Sequence, residues 1–116
     1  MLREDRNRLR HILDAAEEAM QLASAKSRAD LDSDRVLALA LVRLLEIVGG
    51  ASANVSLTVR TANPEIPWRE LTGMRHRLIH AYHSVNLDAV WSTIQYDLPP
   101  LAAHLQQLLS PPASSP

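Results

Sequence analysis

The run Val36-Leu37-Ala38-Leu39-Ala40-Leu41-Val42-Arg43-Leu44-Leu45-Glu46-Ile47-Val48 constrains the fold more than any other stretch of this 116-residue chain. It is apolar nearly all round a helix, interrupted only by Arg43 and Glu46, and a helix without a polar face has to be surrounded by others. Asp32, Ser33 and Asp34 precede it as candidate N-caps. The helix they open is expected to run from about Asp34 to about Val59, at the centre of a bundle. Within it, Gly49-Gly50-Ala51-Ser52-Ala53 is small enough for a neighbouring helix to approach closely, or for this one to bend. A break at the glycine pair is the alternative, since each Gly costs about 1 kcal/mol relative to Ala.

The rest of the chain supplies helices to surround it. From about Arg3 to Ala25, Leu9, Ile12, Leu13, Ala16, Met20 and Ala23 repeat at helical spacing. Thr61 to Pro67 reads as a loop, with Pro67 opening a third helix that runs to about His83. Asn86 is a candidate N-cap for a fourth, Leu87 to Tyr96, after which Asp97, Pro99 and Pro100 either restart a fifth helix or kink a continuous one. With no convincing strand, the expectation is an all-α fold, an antiparallel four- to five-helix bundle forming one domain over residues 1–110. The Pro/Ser-rich residues 111–116 are expected to be a disordered tail. Aromatics make up only 3 % of the chain and Phe is absent, so the core has to be Leu, Ala, Val and Ile.

Several functions are excluded or disfavoured by composition. The absence of cysteine removes disulfides, thiolate catalysis and classical zinc fingers. A formal net charge of −1 provides no global basic field, so contact with nucleic acid has to be local. The first residues lead into no apolar signal segment, and Val36–Val48 is too short to span a bilayer. A cytoplasmic protein without membrane attachment is expected.

Chemistry-bearing residues concentrate in Met74-Arg75-His76-Arg77-Leu78-Ile79-His80-Ala81-Tyr82. On a continuous helix, Trp68, Leu71, Met74, Leu78, Ile79 and Tyr82 share an apolar stripe. Arg75 falls inside it, where a guanidinium needs a carboxylate, a phosphate or a subunit cleft to receive it. Arg77 falls on the opposite, solvated face. His76, His80 and His83 follow at i, i+4 and i+7, a spacing suited to proton transfer or to metal. The metal reading lacks further ligands, and no metal or other cofactor is expected. Glu46 is a charge inside the apolar helix, read as a partner of Arg43 at i, i+3 or, alternatively, of Arg75.

Arg75, four residues, His80, one residue and Tyr82 together resemble the Arg-x4-His-x-Tyr signature of the HepT-like proteins, within the wider HEPN group of small helical domains. The likeness extends from about Arg35 to Leu105, through Ile66-Pro67-Trp68-Arg69-Glu70-Leu71, Leu45-Glu46-Ile47-Val48-Gly49 and Val85-Asn86-Leu87-Asp88-Ala89-Val90-Trp91. It implies a HEPN-like homodimer with paired motifs in a shared cleft, acting as the toxin of a toxin–antitoxin pair and cutting RNA without a metal. Arg75 would neutralise phosphorane charge and His80 would move the proton, with His76 and Glu46 as possible supporting residues. The implied partner is a nucleotidyltransferase antitoxin of the MNT type that transfers AMP to Tyr82. The alternative is a non-catalytic HEPN module that binds a nucleotide or a protein. A geometric problem accompanies the catalytic reading: five residues along a straight helix set Arg75 and His80 roughly 140° apart. Either the helix loosens near His80, or Arg75 reaches round, or two copies pool their motifs.

Overall fold

The computed structural model describes residues 1–79 and 84–111. His80 to His83 and residues 112–116 lie outside the described residues, and with them the expectations for His80, Tyr82, His83 and the tail. The described residues are helical throughout apart from loops and one isolated pairing of Ile79 with Val85. The fold is all-α, as expected. The main elements are α1 (Arg3–Ala23), α2 (Asp30–Ser33), α3 (Arg35–Ala53), α4 (Leu57–Ala62), α5 (Trp68–Thr72), α6 (Met74–Leu78), α7 (Leu87–Ser92) and α8 (Leu98–Leu109).

Helix α3 is the hub. It opens on Asp34, whose Oδ1 accepts a hydrogen bond from the Leu37 N–H at 3.0 Å, the side-chain acceptor that a helix start requires. It runs through Gly49 and Gly50 without a break, and α1, α2, α5, α6 and α7 all pack on it. It ends at Ala53 rather than near Val59, because Ser56 starts the new helix α4 by accepting from the Val59 N–H at 3.3 Å. Leu41, Leu45 and Val48 on α3 meet Leu9, Ile12 and Leu13 of α1 and Leu98 and Leu105 of α8 in one core.

Polar ties fix the ends of these helices. Asp5, buried near the start of α1, accepts from the Ser56 N–H at 2.8 Å and the Ser56 hydroxyl at 2.7 Å. The start of α1 is thereby held beyond the end of α3, which makes the two helices antiparallel. Arg6 donates to the Leu109 carbonyl at 2.8 Å, bringing the end of α8 to the same region. Helix α3 is long and apolar enough by length and composition to cross a membrane, a property that the central helix of a helical bundle shares.

Two departures from sequence expectation shape the functional region. The third helix is not continuous: Gly73 divides it into α5 and α6, and α6 stops at Leu78. Beyond Ser92 the chain stays helical but widens into a π-helical turn over Thr93–Asp97 before α8. Pro99 and Pro100 offer no N–H and would crowd the carbonyls four residues earlier in a regular helix, and a wider turn accommodates both defects. The fourth and fifth helices are therefore one helical run with a π turn in it.

Candidate active site

Helix α6 is seated on α3 by a close contact. A Cβ added to Gly49 would lie 3.0 Å from the Leu71 carbonyl oxygen and 3.0 Å from the Met74 Cβ. Only glycine lets the α5–α6 junction approach this near, the use expected of the small-residue stretch. Met74 and Leu78 are then buried, and Arg75, His76 and Arg77 are all exposed.

That placement corrects the expectation for Arg75. The guanidinium does not point into the apolar seam; Met74 and Leu78 fill it. The single-helix phase linking Trp68 to Tyr82 is lost at Gly73, where one helix ends and the next begins. Arg77 is exposed, as expected, and donates from Nη1 to Asp97 Oδ2 at 2.9 Å, a bond from α6 to the π turn.

After Leu78 the backbone changes conformation. Ile79 is extended, with φ −111° and ψ 117°, and pairs with Val85 as an isolated antiparallel bridge. The Asn86 N–H donates to the Leu78 carbonyl at 2.7 Å, so the chain that leaves α6 is pinned to the chain that returns. Asn86 then caps α7, its Oδ1 accepting from the Ala89 N–H at 3.0 Å. Arg28 fastens this end to α2, reaching Asp88 at 2.7 Å and Asp32 at 3.1 Å. The hydrogen bond to Asp88, then the ion pair with Asp32, hold the guanidinium's pKa above its ordinary value.

A cavity of about 420 Å³ opens beside the returning chain, lined by Arg35, Leu39 and Val42 of α3 together with Ser84, Val85 and Leu87. Arg35 is exposed and makes no ion pair among the described residues. Sequence reasoning passed over it, because only the tertiary approach of α3 to Ser84 and Val85 brings it to this end of the motif. A second cavity of about 460 Å³ lies on the Arg77 flank, bounded by Met74, Tyr96, Asp97 and His104.

Glu46 is half-buried but pairs with neither Arg43 nor Arg75 among the described residues, which overturns both readings of it. Instead Glu46 and Arg43 line a shallow depression between α3 and α1, with Arg8 and His11 on its other bank. Among the described residues no three His, Asp or Glu side chains converge to hold a metal ion.

Comparison with known proteins places this chain in a family. The family model described as ribonuclease HepT-like matches residues 12–108. A protein of Caldanaerobacter subterraneus subsp. tengcongensis named "Putative RNase" is 38 % identical over 101 residues, covering 87 % of this chain and 90 % of that one. A "Probable ribonuclease HepT" of Thermococcus cleftensis is 35 % identical over 108 residues, covering 93 % of this chain and 98 % of that one. No solved structure matches. The chain belongs to the HepT-like ribonuclease family.

Proposed function

We propose that the protein is a metal-independent endoribonuclease, acting as the toxin of a toxin–antitoxin pair, with Arg75 and His80 at the reacting phosphodiester. The observation that carries this reading is the end of α6 at Leu78, one residue before extended Ile79. A straight helix would hold Arg75 and His80 roughly 140° apart. An exposed guanidinium followed by a helix stop removes that constraint, the first of the three ways round the geometric problem.

The chemistry needs no metal. The His80 imidazole takes the proton of the ribose 2′-OH as that oxygen forms a bond to phosphorus. The bond from phosphorus to the 5′-oxygen breaks, and the departing oxygen takes up the proton that the His80 imidazole has carried, leaving a 2′,3′-cyclic phosphate and a 5′-OH. Arg75 neutralises the charge that builds on the phosphorane oxygens. Two copies of the chain, each lending a motif, would form the cleft.

Regulation follows from the same anion preference. A nucleotidyltransferase partner would form a bond between the Tyr82 oxygen and the α-phosphorus of ATP, releasing pyrophosphate. The attached phosphate would compete for the guanidinium that substrate needs. Mass spectrometry of the chain coexpressed with that partner is expected to show AMP on Tyr82; a neutralised complex with unmodified Tyr82 would leave steric inhibition instead.

The testing experiment is cleavage of RNA in EDTA by the wild-type chain and by Arg75→Ala and His80→Ala. Wild type should cut and both variants should fail. Cutting that EDTA abolishes would point to a metal, and no cutting by wild type would point to a binding module.

A further inference from the structure

The cavity of about 460 Å³ on the Arg77 flank has a floor and a rim of different chemistry. Ile66, Leu71, Met74 and Leu101 line it and are buried, so the floor is apolar. Its volume falls within the range of small-ligand sites, about 300–1,000 Å³. Tyr96 reaches it from the π turn and is 75 % exposed. Trp68 is buried and Trp91 half-buried, so among the described residues Tyr96 is the aromatic ring left open. Glu65 and Glu70 line the cavity from the α5 side. Both are exposed and make no ion pair among the described residues, whereas the third carboxylate of the rim, Asp97, is taken by Arg77.

An apolar floor, an open aromatic ring and two unspent carboxylates are the parts from which a protein reads an unstacked base. We propose that this cavity is a subsite for a guanine of the RNA strand. The base lies over the floor against Tyr96, and its N1–H and N2–H donate to the carboxylate of Glu65 or Glu70. Guanine is the base that offers two parallel donors on one edge, which the two oxygens of a carboxylate accept together. Adenine and cytosine carry a ring-nitrogen acceptor beside the amino group, so the second carboxylate oxygen would face a lone pair. Uracil has a single donor between two carbonyls. A bare cation would satisfy the carboxylates but leave the apolar floor wet, whereas guanine uses both.

The cavity adjoins the turn that carries Arg75. Met74 in its floor and Arg77 on its rim belong to the same five-residue helix. Arg75 lies about 100° round that helix from Met74, so a strand that crosses α6 from Arg75 meets the cavity. With a net charge of −1 the chain has no general field to hold RNA, and a pocket for one base supplies affinity that does not depend on charge. This deepens the ribonuclease proposed above by naming a base that it reads, and rests on that reading only for its connection to cleavage.

The test is the affinity of the full chain for guanosine, inosine and adenosine 5′-monophosphates, which share one phosphate and differ at the base edge. Titration followed by NMR reads it, with circular dichroism to confirm that each variant is folded. Wild type is expected to bind the guanosine nucleotide about 5- to 100-fold more tightly than the adenosine one. The inosine nucleotide, which keeps N1–H and lacks the 2-amino group, should fall between them. Glu65→Gln and Glu70→Gln together should bring the guanosine nucleotide down to the adenosine level, and Tyr96→Ala should weaken all three by at least about fivefold. No binding of the guanosine nucleotide, equal binding of all three, or a preference that survives in the folded double variant overturns the proposal. Guanosine preference that obeys these variants in a chain that cuts no RNA would uphold the cavity and remove the ribonuclease reading. RNA cleavage by a chain that fails the binding test would do the reverse.

Discussion

Gly49 and Met74 are in contact so close that a methyl group on the glycine would sit 3.0 Å from the Met74 Cβ and 3.0 Å from the Leu71 carbonyl oxygen. One of these neighbours is backbone, so no rotamer change relieves the clash. Gly49→Ala is expected to destabilise the fold by about 1–3 kcal/mol, the usual range for overpacking. The same substitution should lower RNA cleavage, because α6 has to move to accommodate it. Thermal unfolding together with a cleavage assay checks both; an unchanged melting temperature would show that the contact is slack.

The two arginines of α6 should separate in function. Arg77 spends its charge on Asp97 in a pair that is 39 % exposed on each side, and such pairs contribute under about 1 kcal/mol. Arg77→Ala is therefore expected to change stability by less than that and to retain most cleavage. Arg75 makes no ion pair among the described residues, and Arg75→Ala should reduce kcat/KM by about 10²–10³, the range for losing one transition-state donor. Equal losses in the two variants would count against assigning the phosphate to Arg75.

Legibility from sequence tracked how local each determinant is. Asp34 and Asn86 were identifiable as caps because a cap needs only its own turn, and the centrality of α3 follows from a composition that no exposed helix tolerates. The close approach at Gly49 was readable from the run of small residues. The orientation of Arg75 was not, since a phase carried from Trp68 assumes an unbroken helix and Gly73 ends it. The stop at Leu78 has no proline or glycine to announce it: it depends on Ile79 meeting Val85 and on the Asn86 N–H reaching the Leu78 carbonyl. Arg43 and Glu46 were misjudged for a related reason, because i, i+3 spacing permits a pair without requiring one.

The contact between Asp5 and Ser56 should make stability depend on acid. The backbone N–H of Ser56, then its hydroxyl, hold the Asp5 carboxyl below its ordinary range. In the unfolded chain the group titrates near about 3.9. The folded state therefore binds fewer protons than the unfolded one between the two pKa values. The stabilisation is complete above the unfolded value and is lost as pH falls through the folded one. Asp5→Asn should lower the melting temperature at neutral pH and show a shallower loss below about pH 4. Parallel acid limbs for wild type and variant would mean that other carboxylates dominate.

Asn86 both caps α7 and pins the returning chain to α6. Asn86→Ala is expected to cost about 1 kcal/mol through the lost cap. Because its backbone N–H still reaches Leu78, Asn86→Asp should recover most of that loss. Chemical denaturation of the three proteins compares them; an Asp variant no better than Ala would argue that the cap contributes little.

The central claim is that an exposed guanidinium at Arg75 and the imidazole of His80 act together on one RNA phosphodiester without a metal. Its most direct measurement is the rate of RNA cleavage in EDTA by wild type, Arg75→Ala and His80→Ala, each shown to have the same assembly mass. The account predicts cleavage to a 2′,3′-cyclic phosphate by wild type and a loss of at least about 10² in either variant. Wild-type rates in either variant, or cleavage that vanishes with EDTA, would contradict it.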